Sequence, residues 1–277
     1  MTATEGLDEK YRNLENFIRG KGRHGVVVAF SGGVDSSTLA AICQRVLGKK
    51  AIAVTAKSPT YTTQELETAK ETAKEIGIKH RIVETDELSN EKYCENPENR
   101  CYYCKKELLQ HLQRIAGKLG YRAVFEGTNF SDLGEHRPGF EAVKEMKSVY
   151  SPWVETEFTK TEIRTLSKKL GLSVYDRLAQ PCLATRIPYH ERITKEKLTR
   201  VAEAEKVIKE ITGVNQLRVR DHNGLARIEV GKEERKLFFK VEYLDKIADS
   251  LTKLGFKYAT FDLEGYRSGS MLKTLDT

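Results

Sequence analysis

The sequence contains no apolar run long enough to cross a bilayer, and its first residues lack the apolar region of a secretory signal. It also contains no internal repeats and no low-complexity tracts. Charged residues make up 31% of the chain, and the mean hydropathy is −0.53. We therefore expect no contact with membranes. The prediction is a cytoplasmic, globular protein whose 277 residues are enough for two domains.

The charge balance is mildly basic and does not by itself identify a ligand. The net charge is +7, from 47 basic and 40 acidic residues. Such a surplus suits anionic substrates such as nucleotides or RNA, although a solvated lysine-rich surface explains it equally well. The sequence shows no recognisable RNA-binding module and no arginine-rich run with interleaved aromatic residues. Nucleic acid is therefore disfavoured as a partner.

A turn that contains glycine joins an apolar strand to an apolar helix near the start of the chain. It reads Ser31-Gly-Gly-Val-Asp-Ser36. Gly32 and Gly33 have no Cβ, so the backbone can approach a phosphate at the positive end of the helix. Ser31 and Ser36 add hydroxyl donors, and the carboxylate of Asp35 suits Mg²⁺. We expect a serine at position 36 or 37 to cap the helix. No Gly-Lys-Ser/Thr follows, so the turn is not a Walker A loop.

Strands and helices alternate through the first part of the chain. Predicted strands at 26–30, 51–55, 80–83 and 123–125 are separated by helical segments, which indicates an α/β fold with a doubly wound parallel sheet. Ligands of such sheets lie at the carboxyl ends of the strands. We expect the glycine turn to form a nucleotide cleft with two other loops. Backbone near Ala56 would read adenine, and Gly127 would permit close approach of ribose or phosphate. For each of those two loops alone, a plain polar loop is an equally good interpretation.

The second part of the chain predicts a smaller α+β domain, with helix, hairpin, helix and strand in that order. Asn-Gly at 223–224 is a strong hairpin signal. We place the boundary between a nucleotide-binding domain, 1–180, and a substrate-binding or oligomerisation domain, 181–277. Alternation puts Arg218 and Arg220 on one face of a strand. Paired guanidinium groups suit phosphate or carboxylate, but spacing alone slightly favours a solvated outer face.

The five cysteines are not expected to form structural disulfides in a cytoplasmic chain. Cys101 and Cys104 form a C-x-x-C at a predicted helix start, where the positive helix end favours thiolates. No second C-x-x-C exists, which disfavours a four-cysteine zinc site. Three interpretations of this C-x-x-C therefore stay open: a redox pair, half of a zinc site, or part of an iron–sulfur site. Cys182, in a loop with prolines and arginines, is a third candidate. We expect Cys43 to pack as a small hydrophobic residue. Cys94, in a polar loop, is assigned no role and stays open as an extra ligand.

Several stretches together carry a family resemblance. The glycine turn resembles the pyrophosphate loop, or PP-loop, of the N-type ATP pyrophosphatases, which cleave ATP between the α and β phosphates. The whole chain resembles one branch of them, the LarE family of ATP-dependent sulfur transferases, which help to make the nickel-pincer nucleotide of lactate racemase. The matching stretches are 31–36, Val54-Thr-Ala-Lys-Ser-Pro59, Glu126-Gly-Thr-Asn129, Arg137-Pro-Gly139, Pro181-Cys-Leu-Ala-Thr-Arg186, Arg218-Val-Arg220 and Glu229.

The resemblance implies a reaction and its cofactors. A carboxylate of pyridinium-3,5-dicarboxylate mononucleotide would be adenylated with ATP and Mg²⁺ and then converted to a thiocarboxylate. In one mode of the family, a single cysteine gives up its own sulfur and becomes dehydroalanine. In the other, three cysteines hold a [4Fe–4S] cluster that carries sulfide from an external source. The single donor matches Cys182, and the presence of Cys101 and Cys104 favours the cluster type.

The resemblance also implies site residues and an assembly. Arg186, Arg218 and Arg220 would bind the phosphate or carboxylates of the substrate, and Arg137 and Glu205 would line the substrate side. Asp132 joins Asp35 as a candidate for metal or nucleotide contact. Relatives form homo-oligomers, so we expect one here.

Three other functions remain open at this point. One is tRNA thiolation with the same loop and cluster. Another is an amide-forming synthetase that uses ammonia, in which the cysteines would be dispensable. The last is a nucleotide-binding regulatory module without catalysis.

Overall fold

The computed structural model describes residues 3–134, 137–177, 181–267 and 270–271. The chain divides into two units, of which the first comprises Met1–Glu87 and Asn99–Gln180 and the second Leu88–Glu98 and Pro181–Thr277. The predicted boundary between residues 180 and 181 adjoins positions 178–180, which lie outside the described residues. The sequence carried no sign that the short segment at 88–98 joins the second unit.

A five-stranded parallel sheet forms the centre of the first unit, with strand order β3-β2-β1-β4-β5. Four of its strands were predicted. The fifth, only two residues long, is too short to leave an apolar pattern in the sequence. The strands are β1 Val26–Ala29, β2 Ala51–Lys57, β3 Lys79–Glu84, β4 Ala123–Phe125 and β5 Val149–Tyr150.

Helices cover both faces of this sheet. Numbered along the whole chain, the helices are α1 Ala3–Lys21, α2 Val34–Leu47, α3 Thr63–Ile76, α4 Glu91–Cys94, α5 Arg100–Lys118, α6 Pro138–Glu145, α7 Pro152–Glu155, α8 Lys160–Lys169, α9 Lys195–Thr212, α10 Arg235–Phe238 and α11 Val241–Lys253. Val26 and Val28 pack with residues of α1, α2 and α8, whereas Val27 packs with residues of α5 and α6. Successive strand side chains point to opposite faces, so β1 is apolar throughout because both faces are buried. The doubly wound prediction is confirmed.

Several helix ends follow the local sequence. Thr62 and Thr159 form capping boxes at the starts of α3 and α8, and Gly77 and Gly213 end α3 and α9 in the left-handed conformation. The start of α2 was predicted wrongly. This helix begins at Val34, directly after Gly33, and neither serine caps it. Ser36 and Ser37 lie inside its first turn.

The second unit contains a mixed three-stranded sheet, β6-β7-β8, as the α+β prediction required. Strands β6 Leu217–His222 and β7 Leu225–Val230 are antiparallel, and β8 Tyr258–Phe261 runs parallel to β7. Asn223 and Gly224 form the turn, with φ values of +51° and +94°. Within the described residues, no helix has the length and apolar character needed to cross a bilayer.

Candidate functional site

The turn between β1 and α2 is held by its own serine side chains. Ser36 Oγ accepts from the Ser31 amide at 3.2 Å, lies 3.1 Å from Ser31 Oγ and donates to the Gly33 carbonyl at 3.2 Å. Gly32 has φ +74°, and a Cβ there would lie 2.9 Å from the Cα of Ala69 in α3. Glycine at 32 is therefore required first by backbone conformation and by packing on α3. The N-terminal amides of α2 then form an anion site beside this rigid turn.

A cleft of about 420 Å³ opens at this turn, a volume in the range of ligand-binding pockets. It contains two cations that the sequence analysis missed. Lys160 forms an ion pair with Asp35, and Arg177 Nη1 donates to the Gly32 carbonyl at 3.2 Å. The cleft is lined by Ser31, Gly32, Gly33, Val34, Asp35, Tyr61, Gln64, Glu65, Thr68, Lys160 and Arg177. Cations beside helix-end amides make the cleft suitable for a polyphosphate.

One of the two missed cations left a signal in the sequence. Lys160 is the first residue of α8, directly after the capping threonine, where a positive charge opposes the helix dipole. A nearby anion offsets a lysine at such a position, and in the structure Asp35 pairs with Lys160. Arg177 carries no comparable signal, because it lies in an irregular stretch and reaches the turn only through tertiary structure.

The loop after β4 meets the turn, as predicted. A Cβ at Gly127 would lie 3.3 Å from the Ser36 amide nitrogen, so glycine is needed there for packing against the turn itself. Asn129 Nδ2 lies 3.4 Å from Asp35 Oδ1, and Asn129 is buried. Asn129 Oδ1 has no hydrogen-bond partner among the described residues. An orphaned amide oxygen beside a carboxylate fits Mg²⁺, which uses one or two protein oxygens together with substrate phosphates.

The loop after β2 contributes backbone groups. The Val54 carbonyl accepts from the Phe30 amide on the β1 side, and the Lys57 carbonyl accepts from the Thr85 amide on the β3 side. Alternate residues of a strand address the same neighbour, so the backbone groups of Ala56 point to the β1 side, past the end of that strand. That geometry suits adenine, and the role of Ala56 stays a prediction.

Glu126 is fully buried at the end of β4. It accepts from Lys105 Nζ at 2.6 Å and from Thr128 Oγ1 at 2.8 Å, and it also bonds Ser151. Burial alone would raise the pKa of this carboxyl. The Lys105 ammonium is the largest opposing influence and holds the pKa of Glu126 below its ordinary value. Because Lys105 follows Cys104 directly, this pair joins the cysteine helix to the nucleotide loops.

Asp132 and Arg137 contact each other and do not line the cleft. Arg137 Nη2 donates to Asp132 Oδ1 at 2.6 Å, and Asp132 Oδ2 accepts from the Asn129 amide at 3.1 Å. Asp132 therefore supports the loop that carries Asn129. The predicted contact of Asp132 with metal or nucleotide stays a prediction. The same holds for the predicted contact of Arg137 with substrate.

Three of the five cysteines lie in the first unit, and none of the five forms a disulfide. Cys101 and Cys104 lie near the start of α5, three residues apart and therefore on one side of the helix. Cys101 is exposed and Cys104 is half-buried. Cys43 is fully buried, and desolvation raises the pKa of its thiol, which confirms the predicted packing role.

The other two cysteines belong to the second unit. Cys182 is half-buried and directly precedes a short 3₁₀ helix, Leu183–Arg186. Cys94 was placed wrongly in a polar loop: it ends α4, is buried, and donates from Sγ to the Leu88 carbonyl at 3.2 Å. Among the residues described, no group of three or more histidine, cysteine or acidic side chains forms a metal site.

Arg186 and Glu205 form a buried, two-pronged ion pair. Arg186 Nε donates to Glu205 Oε1 at 2.7 Å, and Nη2 donates to Oε2 at 3.0 Å. Arg186 Nη1 also donates to the carbonyls of Pro181 and Cys182, at 2.8 and 3.3 Å. Glu205 Oε1 accepts from the Val219 amide at 3.1 Å. Both residues therefore fix the Cys182 loop against α9 and β6, and their contact with substrate stays a prediction.

The arginine face of β6 is buried, so the slightly favoured prediction of a solvated face is wrong. Arg220 donates to the Thr185 carbonyl at 2.8 Å and to Glu229 at 2.7 Å. Arg218 donates to the Leu217 carbonyl and stacks on Tyr266, and it has no ion pair among the described residues. Burial and the neighbouring Arg186 cation lower the pKa of Arg218. Binding of an anion would relieve this unpaired charge.

The parallel sheet, the serine-braced turn and the cationic cleft define a PP-loop ATP-binding domain of the α/β class. A family model described as NAD synthase matches residues 7–110. A glutamine-hydrolysing GMP synthase of Aeropyrum pernix is 28% identical over 66% of this chain and 39% of its own. Both similarities agree with the observed fold.

Other relatives match along nearly their full lengths, among them these two. An uncharacterized protein of Synechocystis is 45% identical over 97% of this chain and 99% of its own. The pyridinium-3,5-bisthiocarboxylic acid mononucleotide synthase of Lactiplantibacillus plantarum is 36% identical over 90% of each chain. The chain belongs to the LarE family of ATP-dependent sulfur transferases, the family of the Lactiplantibacillus enzyme.

Proposed function

We propose that this chain adenylates a carboxylate of pyridinium-3,5-dicarboxylate mononucleotide and replaces one of its oxygens with sulfur, which serves nickel-pincer nucleotide synthesis. The observation that carries the proposal is the cleft at residues 31–36, where helix-end amides meet Lys160 and Arg177. The similarity to a synthase named for a bisthiocarboxylic acid mononucleotide supports the choice of substrate.

The first step would be activation of the carboxylate. Amides of the turn would bind the phosphates of ATP, and Asp35 with Asn129 would hold Mg²⁺ there. A carboxylate oxygen of the substrate attacks the α phosphorus, the bond to the bridging oxygen breaks, and pyrophosphate leaves. Lys160 and Arg177 neutralise the charge that develops on this leaving group.

The second step would be sulfur transfer to the acyl adenylate. Arg218 and Arg220 would bind the phosphate or free carboxylate of the substrate, since Arg218 is buried without an ion-pair partner among the described residues. A sulfur nucleophile adds to the acyl carbon, and AMP departs with the electron pair of the broken C–O bond. The product is a thiocarboxylate.

Cys101, Cys104 and Cys182 are our candidates for the ligands of a [4Fe–4S] cluster. Two thiols on one side of a helix start and a third, half-buried thiol just before a 3₁₀ helix are suited to thiolate ligation with one iron left open. When bound, the cluster would supply the transferred sulfide.

Anaerobic reconstitution with iron and sulfide tests the proposal. We expect about four irons per chain, lost in Cys101→Ser, and thiocarboxylate formed over many turnovers with release of pyrophosphate. Loss of one sulfur's mass from the chain, without iron binding, would instead identify Cys182 as a sacrificed donor. Pyrophosphate release that requires tRNA, and not the pyridinium substrate, would overturn the proposed function.

We further propose a cytoplasmic homo-oligomer. Several large apolar side chains of the second unit are exposed, notably Phe239, Val241, Tyr258 and Leu263. Exposed large apolar side chains favour protein–protein contact where they lie together on a surface. Light scattering with Val241→Lys, compared with the parent chain, tests the oligomer: an unchanged mass would remove this surface from the interface.

A further inference from the structure

The amino-terminal edge of the five-stranded sheet carries a group of exposed cations that do not line the nucleotide cleft. Strands β1, β2 and β4 are in register there, since Val26 pairs with both Ala51 and Ala123. The segments that lead into these strands therefore lie side by side, at the sheet edge opposite the carboxyl ends where the cleft opens. Five exposed residues of these segments, which we call the edge patch, are Arg23, His24, Lys49, Lys50 and Arg122.

Hydrogen bonds fix the segments of the edge patch to one another within the first unit. Lys50 Nζ donates to the Arg23 carbonyl at 3.1 Å, and the Arg122 amide donates to the Gly25 carbonyl at 3.4 Å. Desolvation and three neighbouring cations of the patch lower the pKa of the His24 imidazole. The charges of the edge patch therefore lie close enough together to act on one ligand.

No carboxylate among the described residues balances this charge. The stretches 16–34, 36–64 and 108–125, which contain the three segments, include no aspartate or glutamate. None of the lysines and arginines of the edge patch forms an ion pair within the described part of the chain. By contrast, Lys70, Lys144 and Lys169, elsewhere on the surface of the first unit, each pair with a carboxylate. Uncompensated cations gathered at one surface attract an anionic partner.

Helix ends account for only part of the basic charge at this edge. Helices α1 and α5 end at Lys21 and Lys118, whose ammonium groups offset the negative ends of the helix dipoles. Arg23 and Arg122 lie beyond those ends, in the segments that lead into the strands. The dipole effect is confined to the last helical turn, so it does not explain these two guanidinium groups.

The chemistry of the edge patch favours carboxylates of a protein over nucleic acid. The segments 22–25, 48–50 and 119–122 contain one aromatic residue, Tyr121. Its ring covers Gly25, where a Cβ would lie 2.2 Å from a ring carbon, and its hydroxyl donates to the Lys49 carbonyl at 3.2 Å. This ring is therefore engaged within the protein, whereas single-stranded RNA is bound through aromatic rings that stack on its bases. Guanidinium groups bind carboxylates through two parallel hydrogen bonds.

We propose that the edge patch is a docking surface for an acidic segment of a partner protein. A partner bound there leaves the nucleotide cleft open, because the patch and the cleft lie at opposite edges of the same sheet. The inference is independent of the reaction proposed above and adds a protein partner to it.

The test measures binding of a fluorescent oligoglutamate peptide to the full chain by anisotropy, with a uridine oligonucleotide of the same length as the competing probe. The patch variant combines Arg23→Gln, Lys49→Gln and Arg122→Gln. Lys50 is kept because it bonds the Arg23 carbonyl. The control variant loses the same charge elsewhere on the first unit and combines Lys70→Gln, Lys144→Gln and Lys169→Gln. Arg23→Gln with Arg122→Gln replaces the patch variant if that one does not fold.

We expect the parent chain and the control variant to bind the peptide equally, and the patch variant to bind it about tenfold more weakly, because three exposed charge contacts are lost. Added salt should weaken binding to the parent, and Mg·ATP binding should be the same in all three proteins. No peptide binding by the parent, or an equal loss in the patch and control variants, would overturn the inference. Tighter binding of the uridine oligonucleotide than of the peptide, through the same three cations, would also overturn it and identify a nucleic-acid surface.

Discussion

The ion pair between Lys105 and Glu126 offers a test in which stability and pH dependence must change together. Glu126 has no exposed surface, and a quarter of the Lys105 side chain is exposed. Lys105→Met keeps most of the aliphatic stem and removes the ammonium. The carboxylate then stays buried with hydrogen bonds from Thr128 and Ser151 but without a cation.

Removal of one partner from a buried pair costs about 3 kcal/mol or more. With a urea dependence of about 2 kcal/mol per molar, the unfolding midpoint of the first unit should fall by about 1.5 M. Lys105→Met combined with Glu126→Gln should recover part of this loss, because the amide needs no counter-charge. Lys106→Met is the control, since that neighbouring lysine pairs with Glu145 at the surface.

The pH dependence has a definite sign. In the parent chain, the folded pKa of Glu126 lies below its unfolded value, so its stabilisation is present at neutral pH and is lost as pH falls through the folded pKa. Without Lys105, the folded pKa rises. The destabilisation is then largest at neutral pH and shrinks as the buried carboxyl takes up a proton. The stability gap between variant and parent should therefore narrow on acidification.

The single tryptophan makes the assay specific to the first unit. Trp153 is fully buried there, and its Nε1 donates to the Asp35 carbonyl at 3.2 Å. Its fluorescence in urea titrations at several pH values reports both the unfolding midpoint and the change of that midpoint with pH. A Lys105→Met midpoint equal to that of the parent, or a gap that widens as pH falls, would refute the electrostatic reasoning.

Three further predictions concern ligands. Lys160→Met should weaken Mg·ATP binding in calorimetry by about tenfold or more, whereas Lys169→Met on the exposed side of the same helix should not; equal effects would remove Lys160 from the cleft chemistry. Gly127→Ala adds a Cβ 3.3 Å from a backbone nitrogen of the PP-loop and should also weaken ATP binding. Gly134→Ala, in open space, should leave it unchanged, and a matching loss would contradict the packing argument. Arg218→Met should raise KM for the pyridinium substrate by about tenfold, and an equal rise in KM for ATP would assign it another role.

The sequence predicted what local signals encode. Apolar strands that alternate with helical segments predicted the doubly wound sheet, and the Ser31–Ser36 turn predicted the position of the cleft. Strand β5 was missed because two residues carry no periodicity. Arg177 was missed because it reaches Gly32 across 145 positions of sequence, a distance no local pattern spans.

The burial of Arg218 and Arg220 shows a second limit of prediction from the sequence. Alternation along β6 correctly separated Arg218 and Arg220 from their apolar neighbours, but it cannot show what covers a face. The cover comes from distant parts of the second unit, since Arg220 bonds Thr185 and Ser270. The same applies to Glu205, whose partner Arg186 lies 19 residues away at the end of the 3₁₀ helix Leu183–Arg186. Arg186 and Glu205, both predicted to contact substrate, therefore form an ion pair with each other.

Contacts within the protein also determine which cations can bind an anionic ligand, both at the nucleotide cleft and at the buried arginines of β6. Lys160 pairs with Asp35 and Arg177 bonds a carbonyl, so both cations of the cleft are oriented by the chain itself. The Arg177 guanidinium, fixed in this way, needs no reorganisation when negative charge develops on a leaving pyrophosphate. A Mg²⁺ ion at Asp35 would release Lys160 to phosphate oxygens, so one carboxylate links metal binding to phosphate binding. Arg218 differs because no described carboxylate pairs with it, and its buried cation therefore gains the most from an anionic substrate.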